Sequence, residues 1–472
     1  MTKTSKKNPK NNPMNRREFL KAGVIGAAGL VAASCAPPPA PQQVVVTQLV
    51  PGEVVEKIVE VQITSAPVVL TKPFAGKTLN LMSANHHDAN VRDLWIPLFE
   101  EKTGAKVAYT SIGGGDADAK YAVFLASEDA SQDVMYSWET FNAKFGPGMF
   151  EDLTTLFSKE FYDKLAVAPV KAFQFLGKQY GVPFDANMAI FLWNTELYKS
   201  AGLDPEKGPE NWDQFAEFGK KLTGGGKYGT LFTLGDGNSS FFTFITIFNS
   251  SGALLLSDDQ KTLQMDTPEG LLALTKFYDG VVVDKFIDPA GLTINSSIEQ
   301  GKVFRAGNLG HYFGFPNHYK LSQDPLQSQV VGKVKSGIIP GIKLRSGSGN
   351  GFEGYAINKN SPSKELAMAW LEYTVSPEVQ KWIALKWGRP PALTSTFEDP
   401  LVQADAPQFA SVVEQAKYPA PRYGSPFYFD LGTVFNDNMN VMLKGKLTPQ
   451  EAATKIQVEG QGVIDAYWAK VS

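Results

Sequence analysis

Three sets of residues carry groups that could do chemistry. Asn85–His86–His87–Asp88 joins amide, imidazole and carboxylate directly after a strand-like run, Lys77 to Met82. Trp138–Glu139 follows a second such run, Asp133 to Tyr136. Phe241, Phe315, Tyr355 and Tyr428 are aromatics in segments read as loops, and Asp185 follows the turn Tyr180–Gly181–Val182–Pro183. Adjacent histidines invite a metal reading. Neighbouring residues of an extended chain point to opposite sides, however, so the pair makes a poor joint ligand set. His311 and His318 lie elsewhere in the chain. The expectation is no metal and no cofactor; His86 and His87 either hydrogen-bond in a ligand cleft or face solvent. No HExxH, GxSxG or P-loop occurs, so no catalytic residue is assigned. Gly113–Gly114–Gly115 is either an anion-binding loop or a flexible one. Most aromatics fill cores, but aromatic planes beside Asp and Asn also suit sugars, whose rings have apolar faces and whose hydroxyls need polar partners.

Elements at particular places must hold these residues. Lys77–Met82, Lys106–Tyr109 and Asp133–Tyr136 read as strands, separated by a helix with Val91, Leu94, Trp95, Leu98 and Phe99 on one face and a second helix over 119–127. Alternating strand and helix means a parallel or mixed sheet covered by helices, whose ligands sit at the carboxyl ends of strands. Both Asn85–Asp88 and Trp138–Glu139 fall at such ends. The run Met188–Trp193 has the length of a buried strand, followed by a helix capped by Asn194 or Thr195 and stopped by Gly202. Tyr228–Thr233 and Gly354–Asn358 read as further strands. Helices are expected after Thr267–Pro268, over 298–307, after Ser361–Pro362 and Ser376–Pro377, and over 431–444 and 448–468.

The 472 residues exceed what one ordinary core supports, and the net charge of −3 gives no reason to expect nucleic acid. The single cysteine, Cys35, rules out an internal disulfide. Residues 1–35 read as a targeting segment: a basic start, Asn15–Arg16–Arg17–Glu18–Phe19–Leu20–Lys21, a short apolar run, then Ala32–Ala33–Ser34–Cys35. That order is similar to a twin-arginine lipoprotein signal with Cys35 as the lipidated residue, although Asn15 and Ala32 depart from the usual pattern. Residues 36–76 read as a tether, proline-rich at 37–41, with an alternating stretch near Val59–Ile63 that could form an edge strand.

The string Tyr180, Gly181, Pro183, Asn194, Leu197, Ala201, Gly202, Leu203, Trp212, Asp213 and Phe215 resembles the middle of the family 1 extracellular solute-binding proteins, the maltose-binding-protein group. Further blocks agree: Phe99–Glu100 with Thr103–Gly104 and Val107, Ala356–Ile357 with Ala369–Trp370–Leu371 and Ser376–Pro377–Glu378, and Gly388–Arg389–Pro390–Pro391. Gly310–His311 and Phe315–Pro316–Asn317 depart from the family pattern. The resemblance implies an α/β, two-lobed, type II periplasmic-binding-protein-like fold, with mixed sheets flanked by helices and a ligand cleft between lobes. Lobe one would be 77–183 with 353–395, and lobe two 184–352 with 396–472. It implies a monomer, lipid-anchored outside the cytoplasmic membrane, that captures a mono- or oligosaccharide and delivers it to ABC transporter permease subunits. Trp138 matches a sugar-stacking position. Closure would turn on segments near 182–185 and 350–353 and on the chain after Pro391. Rival readings are a binder of a polyamine, phosphodiester or iron, and an exported carbohydrate-active enzyme.

Overall fold

The computed structural model describes residues 42–50, 53–61, 72–113 and 116–471. The twin-arginine motif, Cys35, Gly114 and Gly115 lie outside the described residues. The chain divides at residue 70 into two units. In the first, β1 (Gln42–Val50) and β2 (Glu53–Val61) pair antiparallel in register Val44↔Val59. The tether expected as a spacer with one edge strand therefore contains a two-stranded hairpin.

The second unit holds the remaining strands. In chain order they are β3 (Thr78–Ala84), β4 (Lys106–Ile112), β5 (Val134–Trp138), the short β6 (Gln174–Phe175) and β7 (Lys178–Gln179), β8 (Val182–Pro183), β9 (Ile190–Asn194), β10 (His311–Gly314), β11 (Val334–Gly337) and β12 (Glu353–Ile357). One sheet runs β4-β3-β5-β12-β8. Its β3, β4 and β5 are parallel, while β12 is antiparallel to both β5 and β8. The reversal has a consequence for the site: the first residue of β12, Glu353, lies opposite Trp138, the last residue of β5. A carboxylate from the start of one strand thus joins side chains from the carboxyl ends of the others.

The smaller sheet is β10-β9-β11, antiparallel throughout. The apolar run of β9 takes the central place, and all five of its residues are buried. Its helix follows at once. Asn194 Oδ1 accepts from the backbone N–H groups of Glu196 and Leu197 at 3.0 and 3.2 Å, satisfying two of the donors that a helix start leaves open. Gly202, at φ +70°, turns the chain out, a conformation that favours glycine. Thr267 and Pro268 start the helix Pro268–Tyr278 in the same manner, Thr267 Oγ1 accepting from Gly270 N.

Three expectations differ from the structure. Tyr228–Thr233 forms only isolated bridges, Tyr228↔Leu309 and Thr230↔Ile287, because its partners change from residue to residue and no ladder extends. Of the aromatics read as lying in loops, Phe241 lies in a helix, Gly237–Phe248, capped by Asp236, Tyr355 lies in β12, and Tyr428 opens the helix Tyr428–Leu443. Asn85–His87 is a 3₁₀ turn that runs into short helical turns. Among the described residues no helix is long and apolar enough to cross a membrane.

Three strand-like crossings join the two sheets' surroundings and lie side by side. Phe184 N donates to Glu353 O, Ala186 N to Pro390 O and Ala189 N to Gly349 O, at 2.9, 2.9 and 3.0 Å. Bridges Asp185↔Pro391 and Met188↔Asn350 extend the contact. Segments at the junctions expected near 182–185 and 350–353 thus form one hydrogen-bonded bundle with 390–391, which precedes the chain after Pro391 expected as the third junction.

Candidate functional site

A cleft of about 700 Å³ opens beside this bundle. That is within the ~300–1,000 Å³ of small-molecule sites. Of the ten residues expected at a site, Asn85, His86, Trp138 and Phe315 line it. Trp138 reaches it from the end of β5, Asn85 and His86 from the turn after β3. The cleft thus lies at the carboxyl ends of β3 and β5.

The other six are buried behind the cleft or spent elsewhere. Asp88 accepts from Tyr109 and Ser111 hydroxyls at 2.8 and 3.2 Å, which fixes it on the outer side of β4. Phe241 is fully buried between Tyr428 and Phe435, ring centroids 4.9 and 4.7 Å away; the helical period turns it into the core, which a loop reading missed. Tyr428 is fully buried too, its hydroxyl accepting from Arg422 Nε at 3.2 Å. Tyr355 is buried and bonds Ser83 Oγ at 2.8 Å. Glu139 opens a helix with its carboxyl group buried, 4.0 Å from Arg422 Nε. Burial pushes it up to about 8, against the pull of Arg422, so it holds a proton at neutral pH.

Asp185 belongs to a charge cluster that ties the three crossings together. Arg389, from the third crossing, bonds Asp185 of the first at 2.8 Å and Glu353 of the second. Asp185 Oδ1 accepts from Glu353 N at 2.9 Å. The two carboxylates share one guanidinium. Burial works to raise Glu353, but Arg389 and the two imidazoles outweigh it and hold Glu353 well below the ordinary range. Burial raises Asp185 despite Arg389.

Both His86 and His87 point at Glu353, Nε2 to carboxylate oxygen at 3.0 and 3.2 Å. A strand would have sent them apart; the 3₁₀ turn brings their rings within 4.1 Å. Burial takes His87 down to about 3, so it is neutral and has one N–H. That proton belongs on Nε2, facing the carboxylate, and Nδ1 then accepts from Ser83 Oγ at 3.0 Å. His86, His87 and Glu353 are, among the described residues, a set whose spacing could hold a metal ion. Arg389 and the Tyr136 hydroxyl already occupy both Glu353 oxygens. A cation there would have to displace the guanidinium.

The cleft also brings in residues that sequence reasoning did not assign to a site. Arg422 sits over Trp138, its guanidinium carbon 4.1 Å from the ring centroid and 4.8 Å from that of Phe242. Its Nη2 donates to Asn238 Oδ1 at 3.2 Å. Asn187 lines the cleft with an amide oxygen that has no partner among the described residues. Arg389 stood inside a motif quoted for its glycine and prolines; its burial could not be read there.

The sequence matches the family model for bacterial extracellular solute-binding proteins over residues 84–381, well over half of the chain. The chain belongs to that family. Its fold agrees with solved solute-binding proteins: MalE3 of T. maritima with maltose (TM-score 0.73, 21% identity, 81% of this chain and 98% of that one). A protein of Agrobacterium radiobacter in complex with ribitol gives TM-score 0.74, 22% identity and coverage of 83% and 100%. In sequence it is 27% identical over 411 residues, 83% of this chain and 90% of the relative, to a probable amino-acid ABC transporter periplasmic-binding protein of Sinorhizobium fredii. It is 24% identical over 250 residues, about half of each chain, to an arabinooligosaccharide-binding protein of Halalkalibacterium halodurans. The two-lobed, mixed-sheet fold of this solute-binding family is thus the fold found here.

Proposed function

We propose that this solute-binding protein captures a carbohydrate in the cleft for an ABC importer. The observation that carries the reading is the cleft wall itself. Aromatic planes of Trp138, Phe242, Phe315 and Trp387 stand beside the amides of Asn85 and Asn187. Such a wall matches a pyranose, apolar on its faces and hydroxylated at its edge. Relatives and fold neighbours named for maltose, ribitol and arabinooligosaccharides support the same class. Capture would close the two lobes, 77–183 with 353–395 and 184–352 with 396–472, about the three paired crossings. Cys35, after Arg16–Arg17, would carry a lipid anchor, and the protein would act outside the cytoplasmic membrane as a monomer beside its permease subunits.

A thermal-shift screen over sugars and polyols tests the reading. A ligand that binds only the folded state stabilises it by about 2.7 kcal/mol at a hundredfold excess over Kd. Phe315 lies half-buried at the cleft against Phe242, centroids 5.5 Å apart. Phe315→Ala should abolish the shift while leaving the empty protein's melt nearly intact. A screen in which amino acids or polyamines shift the melt and no sugar does would sink the carbohydrate assignment.

A further inference from the structure

Lys302, Arg305, Arg389 and Arg422 stand in the cleft wall, against the carboxylates of Asp236 and Glu353. Glu353 is taken by Arg389 and two imidazoles. Asp236 caps the helix Gly237–Phe248, accepting from Ser239 N at 2.7 Å. The cleft thus holds more positive than negative charge, in a chain whose net charge is −3.

Arg305 is the unusual member. It is only 4% exposed, yet lines the cleft and makes no ion pair among the described residues. Its Nη1 donates to His318 Nδ1 at 3.1 Å, and its Nε has no partner among the described residues. His318 cannot serve as a counter-ion; burial and Arg305 take it down to about 3. Gly301 makes the arrangement possible. A Cβ there would come within 2.2 Å of His318 Nδ1 and 3.0 Å of Arg305 Nη1. Ile298, Lys302 and Arg305, spaced i, i+4, i+7, form one stripe of the helix Ser297–Arg305, and all three line the cleft. Asp324 attracts Arg305 but forms no ion pair with it, and burial still pulls the guanidinium below its ordinary range; a buried guanidinium without a paired carboxylate is costly unless something supplies the charge. A cleft-lining guanidinium without an ion-pair partner is suited to a planar or tetrahedral oxyanion, which it can receive with paired bonds.

We propose that the sugar bound here is an anionic one, a sugar acid or sugar phosphate, whose charged oxygens are received by Arg305 with Lys302 one turn away. The proposal rests on the carbohydrate reading above. Arg422, over Trp138, holds the ring end of the cleft, and Arg305 selects for charge.

Calorimetry on matched pairs tests it: D-glucose against D-glucuronate and D-glucose 6-phosphate, D-galactose against D-galacturonate, galactobiose against digalacturonate. At least one acidic member should bind tenfold or more tightly than its neutral partner, and the uronate and phosphate arms tell the two oxyanions apart. Arg305→Gln should erase that preference, so that the acidic and neutral members of a pair bind alike, and Arg305→Lys should restore part of it. If Arg305→Gln loses its cooperative melt, Lys302→Gln carries the test and should reduce the preference severalfold. Neutral members binding as well as acidic ones overturn the anionic assignment and leave the carbohydrate reading standing. No binding by any member of the pairs overturns both.

Discussion

Arg389 and Arg305 stand in walls of the same cleft and are equally hidden, at 8% and 4% exposed. Their surroundings are opposite. Arg389 is gripped by Asp185 and Glu353 and lies over Trp387 with its guanidinium carbon 4.2 Å from the ring. Its partners come from two other crossings, so the cation is a clasp. Arg305 has only a neutral imidazole and forms no ion pair among the described residues, although the Nε of both arginines is buried without a partner there. A charge satisfied from within holds the fold together, whereas a charge left open in a cleft wall is available to a ligand. The difference lies in the placement of carboxylates.

The largest expected effect breaks the clasp. Arg389→Gln leaves two buried carboxylates without their cation, and removing one partner of a buried pair commonly costs about 3–5 kcal/mol. Chemical denaturation of the empty protein should show a loss of that order. A variant as stable as the parent would mean that Asp185 and Glu353 do not depend on Arg389.

Trp138→Ala comes next. Trp138 packs edge-on or tilted against Phe141, Tyr428 and Phe429, with centroids at 5.3, 5.5 and 5.7 Å, and supports Arg422. Truncating a buried aromatic costs about 3–5 kcal/mol. The empty protein should therefore melt lower, and ligand binding should weaken as well. An unchanged apo melt would show that the ring serves the ligand alone.

Acid sharpens the comparison by acting on the imidazoles. His87, His311 and His318 are each held at about 3, all by burial foremost, below the ordinary 6.5. The unfolded chain takes up protons there as pH falls through about 6.5, while the fold refuses them until about 3. Stability should therefore be complete above about pH 6.5 and drain away as pH falls toward 3. Glu139, raised to about 8, works in the other direction: its contribution is full below about 4.5 and is lost as pH rises to about 8. Denaturation midpoints at pH 5, 6.5 and 8.5 should peak at the middle value, and Glu139→Gln should flatten the alkaline side and steepen the rise from pH 5 to 6.5. A midpoint higher at pH 5 than at 6.5 would contradict the histidine assignment.

The smallest effect is expected at Arg305. Arg305→Met removes an uncompensated buried cation and keeps an apolar stem, so the empty protein should be unchanged or slightly more stable. A loss as large as that of Arg389→Gln would erase the contrast between the two arginines.

Much of this was written locally. The β9 run, the Asn194 cap, the Gly202 exit and the Thr267–Pro268 start each depend on a few neighbouring residues, and short-range hydrogen bonds and φ preferences fix them wherever the chain goes. Trp138, Asn85 and His86 could be placed at the cleft because the carboxyl ends of parallel strands share one edge of the sheet. Other features depended on the fold. Local alternation sent His86 and His87 apart, but a 3₁₀ turn aimed both at Glu353, some 266 residues away in sequence. Phe241 looked like a loop aromatic until a helix turned it inward. Whether an arginine is a clasp or a receptor depends on which distant carboxylates reach it, and burial sets the cost of leaving it alone. Sequence fixed the local elements because their forces act across a few residues; the charge pattern of the cleft was decided only when the tertiary structure brought three crossings and two walls together.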